Sequence, residues 1–65
     1  MNTDILKGKW LQLRGEAKKT WGEITDNELD QIEGNFDKLV GKVQEKYGIA
    51  KDEAERQVDD WSSRT

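Results

Sequence analysis

The chain repeats itself after 26 residues. When residues 8–32 are laid over residues 34–58, glycine, aromatic and apolar positions coincide along the whole overlap. Both copies follow the pattern G-x-[WF]-x-x-L-x-G-x-[AV]-x-x-x-[WY]-G, which ends at Gly22 in the first copy and at Gly48 in the second. A repeated unit this short cannot bury its apolar side alone. The two copies must therefore cover each other, which predicts a single domain over residues 1–65.

Each copy begins with one long amphipathic helix and continues with a second helix. Apolar residues recur every three or four positions, which is typical of one face of an α-helix. The first stripe is Leu6, Trp10, Leu13, Ala17 and Trp21, and the second is Phe36, Leu39, Val43 and Tyr47. We expect the aromatic members, together with Trp61, to be core anchors, and Gly22 and Gly48 to end the long helices in the left-handed conformation. The fold class predicted is all-α, a compact bundle of about four helices arranged as two pseudo-repeated helical hairpins.

The start of the second helix is encoded locally. Thr25 is a preferred N-cap residue, and Glu28 follows at the spacing that closes a capping box. Ile24 before the cap and Leu29 after it have the spacing of a hydrophobic staple. The sequence therefore predicts a short helix that starts after Thr25 and reaches about Glu33.

Composition excludes several function classes. The chain has no Cys and no His, which removes disulfides, thiolate and imidazole metal sites, and Ser-His or Cys-His nucleophiles. A domain of 65 residues has too little volume to enclose the several hundred Å³ of an ordinary small-molecule pocket. We expect no catalytic residue, no cofactor, no metal and no small-molecule substrate. No apolar run exceeds two residues and no export signal is evident, so we expect no membrane span and a cytoplasmic location.

Charge alternates along the chain in step with the repeat. Residues 1–22 carry a net charge of +3, residues 23–37 carry −6, residues 38–51 carry +3 and residues 52–65 carry −3. One interpretation is that each basic helix neutralises the acidic helix that follows it. The other is a basic stripe that contacts phosphates, formed by Lys7, Arg14, Lys18 and Lys19.

A nucleic-acid-binding module is accordingly the alternative function. The two bends of the chain are similar to helix-hairpin-helix modules, which hold DNA phosphate on backbone N–H groups, but each lacks their second glycine. The bends are Trp21-Gly22-Glu23-Ile24 and Tyr47-Gly48-Ile49-Ala50. Asp26 and Glu28 also stand where a phosphate would need the positive end of a helix. These features make nucleic acid the weaker interpretation.

The six glycines fall into two ladders with a spacing of seven residues. On a helical projection Gly8 and Gly15 lie opposite the apolar stripe, although each glycine inside a helix costs about 1 kcal/mol relative to alanine. They could adjust helix stability, mark bends or allow the second hairpin to come close. The functional interpretation is a bare strip of backbone for a partner helix or a second copy of the protein. This candidate contact surface consists of Gly8, Gly15, Gly34 and Gly41.

The combined pattern closely resembles the CsbD-like family of small bacterial proteins. The residues that carry the resemblance are Met1-Asn2-Thr3-Asp4, Gly8-Lys9-Trp10, Gln12, Gly15, Lys18, Trp21-Gly22, Thr25-Asp26, Gly34, Asp37, Leu39, Gly41, Gln44, Tyr47-Gly48, Ala54-Glu55 and Trp61. Ile24 and Asn27 are mild departures, since the family more often has Leu and Asp there. The resemblance implies a cytoplasmic protein of the general stress response, a bundle of short helices and no catalytic residues. We therefore expect a non-enzymatic binding or protective module whose partner is an unknown protein or a second copy.

Overall fold

The computed structural model describes residues 7–64, and four α-helices run through them. These are α1 (Trp10–Thr20), α2 (Asp26–Ile32), α3 (Phe36–Tyr47) and α4 (Lys51–Arg64). Residues 7 and 8 are also helical and are separated from α1 by a turn at Lys9. No strand occurs in this part of the chain, so the predicted all-α bundle is confirmed. Leu6 and the segment Met1-Asn2-Thr3-Asp4 lie outside the described residues.

One hydrophobic core receives side chains from all four helices and from the α1–α2 connection. The buried side chains are Trp10, Ala17, Trp21, Ile24, Leu29, Ile32, Leu39, Val40, Val43, Ala54, Val58 and Trp61. Leu13, Phe36 and Ile49 are partly buried against them. Trp61 is a core residue as predicted, and its ring meets Trp21 edge to face with centroids 5.2 Å apart. The aromatic pair joins the end of α1 to the end of α4.

Tyr47 is not the core anchor that its place in the stripe predicts. The side chain is 39% exposed, and its hydroxyl accepts a hydrogen bond from the Glu23 backbone N–H at 3.2 Å. A phenol prefers a position that leaves its polar end near water. Tyr47 therefore sits at the edge of the core and ties the end of α3 to the α1–α2 connection.

The two long helices end by different devices. Gly48 has φ +62° and ends α3 in the left-handed conformation, as predicted. The same prediction is wrong for Gly22, because the positive φ values among the described residues belong to Glu33, Gly34 and Gly48. Instead, the Lys18 ammonium donates to the carbonyl of Ile24 at 2.8 Å and to that of Gly22 at 3.4 Å. The lysine side chain thus binds carbonyls of the α1–α2 connection, just beyond the end of α1.

The start of α2 is built as predicted. The Glu28 backbone N–H donates to Thr25 Oγ1 at 3.2 Å, and the Thr25 N–H donates to Glu28 Oε1 at 2.9 Å, which completes the capping box. Ile24 and Leu29, the residues of the predicted staple, are both buried. The helix ends at Glu33, which has φ +53°. Local sequence therefore fixes the start of this short helix, whereas Glu33 at its end adopts a conformation that residues other than glycine rarely take.

Candidate functional site

The outward surface of α1 carries an exposed leucine beside a glycine. Leu11 is 86% exposed and lies one turn before Gly15, so the two share a face of the helix. A Cβ atom added to Gly15 would meet nothing within 4 Å, and the same holds at Gly8, in the helical turn before α1. A single exposed leucine is ordinary on a protein surface. The unusual feature is that bare backbone adjoins it where the protein's own packing does not require glycine. We call Gly8, Leu11 and Gly15 the α1 outer face.

The other two glycines of the predicted surface lie elsewhere. Gly41 is exposed on α3, with open space at its Cβ position, and borders a groove of about 410 Å³ between α2 and α3. Gly34 is buried in the α2–α3 connection with φ +77°. The backbone conformation explains why position 34 is a glycine, since other L-residues rarely adopt it. The four glycines therefore do not form one continuous strip, and Gly34 presents no exposed backbone to a partner.

The proposed phosphate-binding residues are largely engaged inside the fold. Arg14 forms an ion pair with Asp30 and donates to the Asp26 carbonyl at 3.4 Å, which joins α1 to α2. Lys18 is occupied by the carbonyls at the end of α1. Lys19 is 79% exposed and lies 3.8 Å from Glu16, and Lys7 is exposed. Two of the four residues, Arg14 and Lys18, are therefore held by acceptors within the protein.

Backbone N–H groups at the first bend are engaged as well. The Glu23 N–H donates to the Tyr47 hydroxyl, and the Ile24 N–H donates to the Trp21 carbonyl at 3.0 Å. A helix-hairpin-helix module needs such groups free to hold a phosphate. The bend here is closed by internal hydrogen bonds, which removes the main support for that comparison.

Ion pairs also join α2 to α3, which the charge pattern of the sequence did not predict. Arg14 and Asp30 pair across the first hairpin, as expected, but Glu28 of α2 pairs with α3. Its Oε2 lies 3.0 Å from Lys46 Nζ and 3.3 Å from Lys42 Nζ. Glu28 therefore links the two halves of the chain while it also caps α2.

These contacts explain a strongly shifted carboxylate. The Thr25 backbone N–H, followed by the Lys46 ammonium, lowers the pKa of Glu28 to about 2. The hydrogen bond with Glu28 raises the pKa of Lys42 above its ordinary value. A perturbed pKa often marks a catalytic group, although structural ion pairs produce the same effect. The partners of Glu28 named here are Thr25 at the start of α2 and Lys42 and Lys46 on α3, so the shift arises from contacts that hold these two helices together.

The described residues form neither a metal site nor a membrane-spanning helix. Among residues 7–64 there is no group of three or more acidic side chains placed to hold a metal ion. Within the same range, every helix is too short or too polar to cross a bilayer. The α1 outer face is a candidate functional site because the exposed Leu11 adjoins open backbone at Gly15.

Comparison with known proteins gives consistent matches. The profile of the CsbD-like family matches residues 4–56. The UPF0337 protein YjbJ of Escherichia coli is 50% identical over 64 residues, which cover 98% of this chain and 93% of that protein. A UPF0337 protein of Pseudomonas aeruginosa is 50% identical over 98% of both chains. One from Bordetella pertussis is 52% identical over 98% of this chain and 97% of its own. The similarity extends over the whole domain and is not confined to one motif.

Proposed function

The chain belongs to the CsbD-like family, and on that premise we propose that it is a cytoplasmic general stress-response protein that binds or protects other macromolecules without catalysis. The observation that carries this proposal is the α1 outer face, where the 86%-exposed Leu11 adjoins bare backbone. Gly15 lowers the stability of α1 by about 1 kcal/mol relative to alanine and relieves no steric conflict in return. A contact with another molecule accounts for both the exposed leucine and the destabilising glycine.

The chemistry of the surface supports a binding role over catalysis. The chain offers no imidazole or thiol, and the most strongly shifted carboxylate, Glu28, is held by Thr25, Lys42 and Lys46. The groove beside Gly41 is open to solvent and lacks the enclosed apolar walls that small-molecule sites use. Arg14 is paired with Asp30 and Lys18 is bound to backbone carbonyls, which weighs against nucleic acid as the partner.

Site-specific photo-crosslinking in stressed bacterial cells tests the proposal. One variant carries a photoreactive amino acid at Leu11, and a matched variant carries it at Asn27, which is also exposed but lies on α2. We expect adducts with other macromolecules from position 11 and few from position 27. Unlabelled wild-type protein should suppress the adducts when present in excess, and the Leu11→Glu variant should not. Equal adducts from both positions, or none from position 11, would contradict the proposal.

A further inference from the structure

An open groove lies where the ends of α1 and α4 meet. It has a volume of about 250 Å³ and is lined by Thr20, Trp21, Gln57, Asp60, Trp61 and Arg64. The indole N–H of Trp21 donates to Gln57 Oε1 at 3.1 Å, so this donor is already satisfied inside the protein. Asp60 and Arg64 pair at 2.9 Å on the rim. The groove therefore offers the edges of two nearly buried indoles beneath a polar rim, a surface suited to an apolar side chain.

The α1 outer face carries an apolar side chain that such a groove could receive. Leu11 projects into solvent, and the neighbouring Gly15 has no side chain to hold an approaching surface away. The charges are complementary too, because residues 1–22 carry +3 and residues 52–65, which include the α4 side of the groove, carry −3. Surfaces of opposite charge attract during encounter. One molecule thus carries both an apolar projection on a basic helix and a groove with two indoles below a polar rim, four of whose six lining residues come from the acidic segment.

We propose that the groove receives Leu11 of a second copy of this chain, so that copies associate head to tail. Because the projection and the groove are different surfaces, each contact leaves one free groove and one free leucine, and the association can continue to further copies. A contact centred on one leucine is small, which places it among weak, reversible interfaces. The inference rests on the proposed function, since it assigns a partner to the same face of α1.

The test uses two variants that each remove one half of the contact. Leu11→Glu places a charge on the projection, and Thr20→Arg places a long charged side chain at the mouth of the groove. Both positions are exposed, and Gln12→Glu and Gln31→Arg are controls that make the same change of charge at other exposed positions. Circular dichroism and thermal unfolding confirm that each variant is folded. Sedimentation velocity then follows the average mass from about 10 µM to about 1 mM, a range suited to weak interfaces.

We expect the mass of the wild type and of both controls to rise with concentration, well beyond that of a dimer at the upper end. Leu11→Glu alone and Thr20→Arg alone should remain monomeric. An equimolar mixture of the two should form dimers and nothing larger, because one intact groove and one intact leucine remain between them. A wild type that stays monomeric, a Leu11→Glu variant that still associates, or a mixture that does not dimerise would overturn the proposal. Adducts from position 11 with other macromolecules and a monomeric wild type would leave the proposed function standing without self-association.

Discussion

The indole Nε1 of Trp10 donates a hydrogen bond of 2.9 Å to the backbone carbonyl of Leu29 inside the core. This bond ties the first turn of α1 to the middle of α2. The other acceptor contact of that carbonyl, from the Glu33 N–H, is long at 3.5 Å. Trp21 makes its indole bond to the half-buried side chain of Gln57 instead. A side-chain amide can turn toward water when its partner is lost, whereas a core carbonyl cannot.

The first prediction contrasts these two indoles. Trp10→Phe should lower the free energy of unfolding by about 1–2 kcal/mol more than Trp21→Phe, because it leaves a buried carbonyl poorly paired. Both substitutions remove the same atoms, so the loss of volume largely cancels in the comparison. Urea denaturation followed by circular dichroism measures the difference. Equal losses would show that the Trp10 hydrogen bond contributes nothing specific.

The second prediction concerns pH. Because the pKa of Glu28 is lowered from 4.5 to about 2 in the fold, its charged form stabilises the protein above pH 4.5, and this contribution disappears as the pH falls through 2. Glu28→Gln should therefore lower the free energy of unfolding at pH 7. It should also make that free energy fall less steeply as the pH is lowered from about 4.5 to 2. Glu45→Gln, which removes an exposed partner of Lys42, is the control and should keep the decline. A Glu28→Gln profile that runs parallel to that of the wild type would contradict this assignment.

The third prediction compares alanine substitutions at two glycines, one from each ladder. Gly15→Ala should raise the free energy of unfolding by about 0.5–1 kcal/mol, since the position is helical and open. In a domain of this size that corresponds to a rise in Tm of several degrees, given about 4–8 °C per kcal/mol. Gly48→Ala should have the opposite sign, because φ is +62° there. Thermal unfolding of both variants checks the signs, and a destabilising Gly15→Ala would show that α1 needs glycine at this point.

The fourth prediction addresses nucleic acid. In an NMR titration with duplex DNA at about 50 mM salt, where phosphate contacts are strong, the amides of Arg14, Lys18 and Gly22 should not shift. Arg14 and Lys18 already hold internal acceptors, and Lys18 also contacts the Gly22 carbonyl. Shifts at these three residues that fade as salt is raised would establish the phosphate-binding interpretation instead.

Features encoded within a few residues could be predicted from the sequence. Thr25 and Glu28 form the capping box because both partners lie within one turn, and Gly48 ends α3 because the glycine itself permits the left-handed conformation. The two periodic stripes also identified five of the twelve buried core residues in the described part of the chain, namely Trp10, Ala17, Trp21, Leu39 and Val43. In each of these cases the controlling interaction is local, so no knowledge of the tertiary packing was needed.

Features decided by tertiary contacts could not be predicted. Gly22 follows an aromatic residue as Gly48 does, yet it does not adopt a positive φ, and the Lys18 ammonium binds the Gly22 and Ile24 carbonyls of the connection. Tyr47 continues an apolar stripe, but the stripe does not reveal that its hydroxyl has an acceptor role at the surface. For the candidate site, periodicity correctly placed Gly15 outside the core. It gave no sign that Gly34 would be buried in a connection. The spacing of four residues between Leu11 and Gly15 does carry a signal, because it places the leucine beside the glycine on one face of a helix, whereas the glycine ladder alone does not.

The central claim is that the α1 outer face is available for contact and plays no part in the protein's own core. The most direct test is the free energy of unfolding of Leu11→Ala, measured by urea denaturation with Leu39→Ala as the buried counterpart. The exposure of 86% predicts a change within about 0.5 kcal/mol for Leu11→Ala, against a loss of about 2–5 kcal/mol for Leu39→Ala. A loss of about 2 kcal/mol or more at Leu11 would contradict the account, because it would place that leucine within the folded core.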